Sequence, residues 1–262
     1  MKRYLNLYFH FFKYNLISAI EYKTDFITWS LVTIGWIAFT LVFYQLLFSH
    51  ISNIAGWDKA QMLILQGFYF YTDAVLWGLF YKNLYELPYK INHGTLDLEL
   101  VKPINKQFLL SVKKINLNQI NSLVMGSIII IYGLKLGNFH AGISDILFAM
   151  MAFTAATVFL YSGWFITICL AFWVERLDNI IHFFPNFRQF SKFPLDAYQG
   201  LPRMLLGYAV PILLVTTLPS QFLLHQRQFS LLTVFSLISI SLLIFSRWFF
   251  NTALRRYSSA SS

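Results

Sequence analysis

The uncharged stretch Phe26–Phe48, FITWSLVTIGWIAFTLVFYQLLF, decides the fold. Its 23 residues carry no ionisable side chain other than Tyr44. A helix of that length rises about 34 Å, enough to cross the roughly 30 Å hydrocarbon core of a bilayer. Working outward, 57% of the 262 residues are hydrophobic and 28 are Phe. A soluble core cannot hide that much apolar surface, so lipid must be the solvent for most of it.

Four further apolar runs read as spans: 62–85, 117–134, 146–173 and 229–246. Between Val174 and Gln228 two readings stay open. In one, 177–193 is the fifth of six spans, with Leu177, Ile180, Ile181, Phe184 and Phe187 on one side and Asp178, His182, Asn186 and Gln189 on the other. Such a helix tolerates a bilayer only if its polar side faces protein or water. In the other, 204–218 crosses, although Pro211 interrupts it and a short, broken segment suits a re-entrant hairpin better. The preferred division takes 177–193 as the span and 194–226 as an outer hairpin. The expected fold is an all-α membrane protein with six transmembrane helices.

Leu5, Tyr8, Phe9, Phe12, Leu16 and Ile20 recur at helical spacing, so residues 1–25 read as an amphipathic helix in the membrane interface rather than a cleaved leader. Residues 257–262 read as a disordered tail. The net charge of +9 is arranged for orientation rather than for nucleic acid. Fourteen Lys and Arg side chains fall on the side that holds both termini and the loop between the second and third spans, against four on the other. That asymmetry makes the first side cytoplasmic. Trp57 and Trp248 stand where interfacial anchors are expected.

Catalytic signatures are missing from the sequence. No Gly-Lys dipeptide, HExxH, CxxC or GxSxG occurs, the six histidines are scattered, and the lone Cys169 reads as a small buried hydrophobe. Active transport by such a chain draws on an ion gradient or on another polypeptide. One midplane acid, Asp73, stands out, because a carboxylate there costs about 2.5–3.5 kcal/mol unless it finds water or a cation. Arg188 lies at matching depth if 177–193 crosses.

The compact loop segment INHGTLDLELVKPIN (91–105) offers Ile91, Gly94, an acidic residue and then Leu100-x-x-Pro103. With the N-terminal helix and the proline-punctuated stretch 190–224, it resembles the membrane subunit of bacterial type-2 ATP-binding-cassette exporters, in the subgroup of six-span permeases of about this length. The resemblance covers essentially the whole chain. It implies a transport subunit without its own ATPase site, in the bacterial inner membrane. It also implies a second permease chain, identical or related, and separate ATPase subunits that bind ATP and Mg. On this reading a short coupling helix in the loop meets the ATPase. Gly94 permits the turn, Asp97, Glu99 and Lys102 face the partner, Pro103 ends the helix, and Leu96, Leu98 and Leu100 pack back on the spans. The alternation in Leu96–Leu100 also fits a short strand. Asp73, His182, Asn186 and Arg188 would line the transport path. A gradient-driven carrier or channel is the alternative, and a membrane scaffold without transport is a third class.

Overall fold

The computed structural model describes residues 2–174 and 178–257. The described residues are helical with no strand, apart from an isolated bridge between Ile54 and Trp57. Helix α1, Lys2–Glu21, leads through Tyr22 into α2, Lys23–His50. The second span is long and segmented. It runs as α3, Lys59–Val75, a π-helical turn Leu76–Phe80, α4, Tyr81–Tyr85, and α5, Leu87–Asn92. Its start is set by a reciprocal cap: Gln61 N–H donates to Asp58 Oδ1 at 2.9 Å, and Asp58 N–H to Gln61 Oε1 at 3.0 Å. Two short loop helices follow, α6, Asp97–Leu100, and α7, Lys106–Val112. Then come α8, Ile120–Leu136, and α9, Ile143–Cys169. The outer region holds α10, Asp178–Phe187, α11, Gly200–Met204, and α12, Leu214–Leu223, before α13, Phe229–Leu254, closes the chain.

The core sits where α3 and α9 meet α8, α12 and α13. Glycine lets α3 and α8 approach backbone to backbone: a Cβ at Gly67 would stand 2.9 Å from the Gly126 carbonyl, and one at Gly133 2.9 Å from the Ala60 carbonyl. In lipid this close packing replaces the hydrophobic drive available in water. On α9 the buried Ala149, Ala152, Ala155 and Ala156 present small side chains, and every residue of α12 is buried. The outer faces of α2, α8, α9 and α13 expose large apolar side chains such as Leu31, Phe39, Ile128, Met151 and Leu237. That coat fits hydrocarbon rather than water.

Among the described residues, five helical stretches are long and apolar enough to cross a membrane: 23–50, 59–92, 117–136, 143–172 and 229–254. A sixth exists only if the two arms 200–209 and 214–223 count together, and they are bent by 81°. No single helix therefore runs through 204–218. Helix α10 contains Pro185 and continues as a 3₁₀ turn, Arg188–Lys192. The ten α and five 3₁₀ residues described, 178–192, rise about 25 Å. Residues 175–177 and the tail beyond 257 lie outside the described residues. Trp57 differs from the expected anchor. It is buried, and its indole donates to Asp196 Oδ2 at 3.1 Å, tying the start of α3 to the outer hairpin. Trp248 is exposed on the outside of α13.

Candidate functional site

Two polar clusters stand out from the apolar body, one inside the spans and one in the 86–116 loop. The inner cluster begins on α3, where Tyr69, Thr72 and Asp73 share a face through i, i+3 and i+4 spacing. Arg188, at the first position of the 3₁₀ turn after α10, reaches all three. Its Nη1 donates to Thr72 Oγ1 at 2.9 Å and its Nη2 to Tyr69 OH at 2.9 Å. Nη2 also pairs with Asp73 Oδ1, and the guanidinium carbon stands 4.1 Å from the Tyr69 ring centroid. Arg188 is only 3% exposed. A buried guanidinium is tolerable in such a place because hydroxyls, a carboxylate and a ring face all serve it.

The segment carrying Arg188 is pinned from three sides. The Lys192 carbonyl accepts from Gln66 Nε2 at 2.9 Å and from Tyr44 OH at 3.1 Å. The Ser191 carbonyl accepts from Thr216 Oγ1 at 2.6 Å, and Leu195 N–H donates to Thr217 Oγ1 at 3.0 Å. Helices α2, α3 and α12 thus hold one short turn in place, which satisfies backbone groups that lipid could not.

Beside the pair lies a hollow of about 450 Å³ lined by Asp73, Arg188, Asn186 and Lys192, with Trp29, Trp36 and Trp77 among its walls. A second hollow of about 720 Å³ shares Asn186 and Lys192 with it and adds Tyr198. Three of the four expected path residues, Asp73, Asn186 and Arg188, therefore meet at one cavity. His182 does not line it. It is exposed one turn away on α10, its ring 5.9 Å from that of Tyr85. Sequence reasoning missed Gln66, Tyr44, Lys192 and the two tryptophans of α2. The only signal for the last two was their seven-residue spacing, which puts them on one helix face.

The loop cluster is built around Glu99. Its two carboxylate oxygens accept from Lys102 Nζ and Lys113 Nζ, each at 2.7 Å. Burial alone would raise its pKa; the hydrogen bonds and charges of the two lysines outweigh that and bring it down to about 2. Glu86 pairs with Lys114 and, at 3.7 Å, with Lys90. Helix α1 is fastened to the same loop: Arg3 Nη2 donates to the Pro103 carbonyl at 3.2 Å, Asn105 N–H to Tyr4 OH at 3.2 Å, and Asn15 Nδ2 to the Lys113 carbonyl at 3.1 Å. Gly94 takes φ +70°, the left-handed conformation the turn before α6 requires. Tyr257 reaches the loop from the far end of the chain. Burial raises the pKa of its hydroxyl and the adjacent Asp97 carboxylate raises it further.

The placement of the loop side chains corrects the expected one. Glu99 is buried rather than offered to a partner, and Leu98 is 70% exposed rather than packed against the spans. Alternation is a strand period; α6 is a helix, so residues three and four apart share a side. Leu96, Glu99 and Leu100 turn inward, while Leu98 and Val101 turn out, Val101 being 80% exposed. Asp97, Lys102 and Gly94 stay partly accessible and Pro103 is exposed.

No curated protein and no solved structure matches the chain. A family model described as ABC-2 family transporter protein matches residues 34–261, which takes in all but the start of the first span and includes both the Asp73–Arg188 pair and the Glu99 triad. The chain therefore belongs to the ABC-2 family of transporter proteins, as a multi-pass membrane permease component of an ATP-binding-cassette transporter.

Proposed function

We propose that the chain is the permease subunit of an exporter in a bacterial inner membrane. Two permease chains form the substrate path, and separate ATPase subunits, which bind ATP and Mg, drive it. Both termini and the 86–116 loop lie on the cytoplasmic side, where α6 meets the ATPase. The observation that carries this reading is the pair Leu98 and Val101: two apolar side chains exposed on a helix whose base is locked by the Glu99 ion triad and by α1. A loop serving only to set orientation needs basic charge. It has no use for a braced helix with an apolar tip. Apolar side chains held rigidly at the surface have the character of interface anchors.

The test is co-elution of the permease with its ATPase after mild solubilisation. Burying two such side chains is worth about 1.5–3 kcal/mol each. L98D/V101D is expected to weaken association a hundredfold or more and to abolish transport-linked ATP hydrolysis, with membrane insertion unchanged. Undiminished co-elution of the double variant would remove α6 from the ATPase contact.

A further inference from the structure

The inner hollow has an unbalanced charge. Its lining holds three ionisable charges, Asp73, Arg188 and Lys192. Asp73 and Arg188 neutralise each other. Lys192 belongs to no ion pair among the described residues; its Nζ stands 5.5 Å from the centroid of the Tyr69 ring. It lines both hollows, as Asn186 and Gln189 do. Trp29 and Trp36 face the same space from α2. An aromatic series leads away from it along the second span, Trp77 to Tyr81 with ring centroids 4.2 Å apart and Tyr81 to Tyr85 5.4 Å apart.

We propose that this hollow binds an amphiphilic anion, its acidic group at Lys192 and its apolar or flat body against Trp29, Trp36 and Trp77. A cation surrounded by low-dielectric walls attracts an anion far more strongly than it would in water. The ring faces supply a large apolar surface that discriminates little among bodies. A volume of about 450 Å³ falls in the range that accepts a small organic ligand. The hollow is tuned for one negative charge, because Asp73 repels a second unless Arg188 gives up its pairing. The inference rests on the transport reading above for its purpose but not for its chemistry. Two sources fit: the headgroup of an anionic membrane lipid, or a free acidic amphiphile.

The experiment uses the full chain, without ATPase, in nanodiscs of phosphatidylcholine. The probes are dansylglycine, an aromatic carboxylate, and dansyl amide, its neutral counterpart, each read by energy transfer from tryptophan. Dansylglycine is expected to bind saturably and at least tenfold more tightly than dansyl amide. Lys192→Gln should weaken dansylglycine about tenfold to a hundredfold, as loss of a charge-assisted bond does, and leave dansyl amide unchanged. Lys192→Arg should retain most of the affinity. Adding phosphatidylglycerol to the discs separates the sources. Competition with dansylglycine that disappears in Lys192→Gln identifies a lipid headgroup; no competition identifies a free amphiphile. Equal binding of both probes, or an unaltered dansylglycine affinity in Lys192→Gln, overturns the proposal. So does a Lys192→Gln variant whose only change is its oligomeric state, since Lys192 would then serve a contact between copies. Because no ATPase is present, failure here leaves the docking role of α6 standing, and failure of co-elution leaves this site standing.

Discussion

Asp73 and Glu99 are both carboxylates held by cations, and the two clusters differ in what surrounds the cations. Arg188 is shut away, its side chain 4% exposed, and Asp73, which lines the hollow, is 19% exposed. Glu99 is as hidden, at 8%, but its lysines are 41% and 38% exposed. Water can solvate Lys102 and Lys113 whenever Glu99 lets go. Nothing solvates Arg188 except the protein. The same charge pairing is therefore obligatory in the span and adjustable in the loop, which suits a fixed wall in one place and a surface that meets a partner in the other.

The largest expected effect tests the obligatory side. Asp73→Asn leaves a buried guanidinium that cannot shed its proton. Removing one partner of a buried pair costs about 3–5 kcal/mol, so the thermal midpoint of the purified protein should fall sharply. Arg188→Gln should be milder, about 1–3 kcal/mol, the cost of a buried polar group short of partners. A stripped carboxyl can take up a proton, and Asp73 still sees the hollow. The double variant should recover part of the loss, as coupled residues do. If either single variant melts with the parent, the contrast between the clusters collapses and Arg188 is not a structural cation.

Asp73 and Arg188 are legible as partners in the sequence, because a lone carboxylate in a span demands a cation and depth along the helices leaves few choices. The rest of the cavity is not. A tryptophan on an apolar helix has the same hydropathy whether it faces lipid or a hollow, so Trp29 and Trp36 carried no direction. Gln66 and Tyr44 act on a backbone carbonyl, that of Lys192, and a carbonyl has no sequence signature. The hairpin's prolines announced a break, yet not that Thr216, Thr217, Ser220 and Gln221 lie wholly within the core of α12. In the loop, the five residues Leu96–Leu100 are too short to separate a period of 2 from one of 3.6, and the wrong period reversed Leu98 and Glu99. The uncharged runs told the spans apart from everything else because hydrocarbon admits so few alternatives.

The adjustable side predicts smaller losses. Glu99→Gln keeps the side-chain shape and one acceptor but releases two lysines into water. It should cost about 1–2 kcal/mol, seen as faster amide exchange across 95–116 with the thermal midpoint of the spans unchanged. A fall in the global midpoint as large as that of Asp73→Asn would mean the loop is part of the core, and the comparison above would fail.

The smallest effect is the dependence on pH. The Glu99 carboxyl titrates near 2 in the folded loop, below its ordinary value of 4.5. A group depressed in this way stabilises the folded form fully above its ordinary pKa and loses that contribution as pH falls toward the folded one. Between pH 8 and pH 5 exchange in 95–116, corrected for the intrinsic rate, should not change on account of Glu99. It should quicken as the pH drops from about 4.5 toward 2. The Gln variant should already show the quicker exchange at neutral pH and add nothing in the acid window. Salt should shrink the difference between parent and variant, because both lysines are partly in water. The same salt should change the deficit of Asp73→Asn far less, since the guanidinium left behind is only 3% exposed. A loop insensitive to both acid and salt would make Glu99 as rigid a fixture as Arg188, and α6 would then be set by the spans rather than free to adjust to a partner.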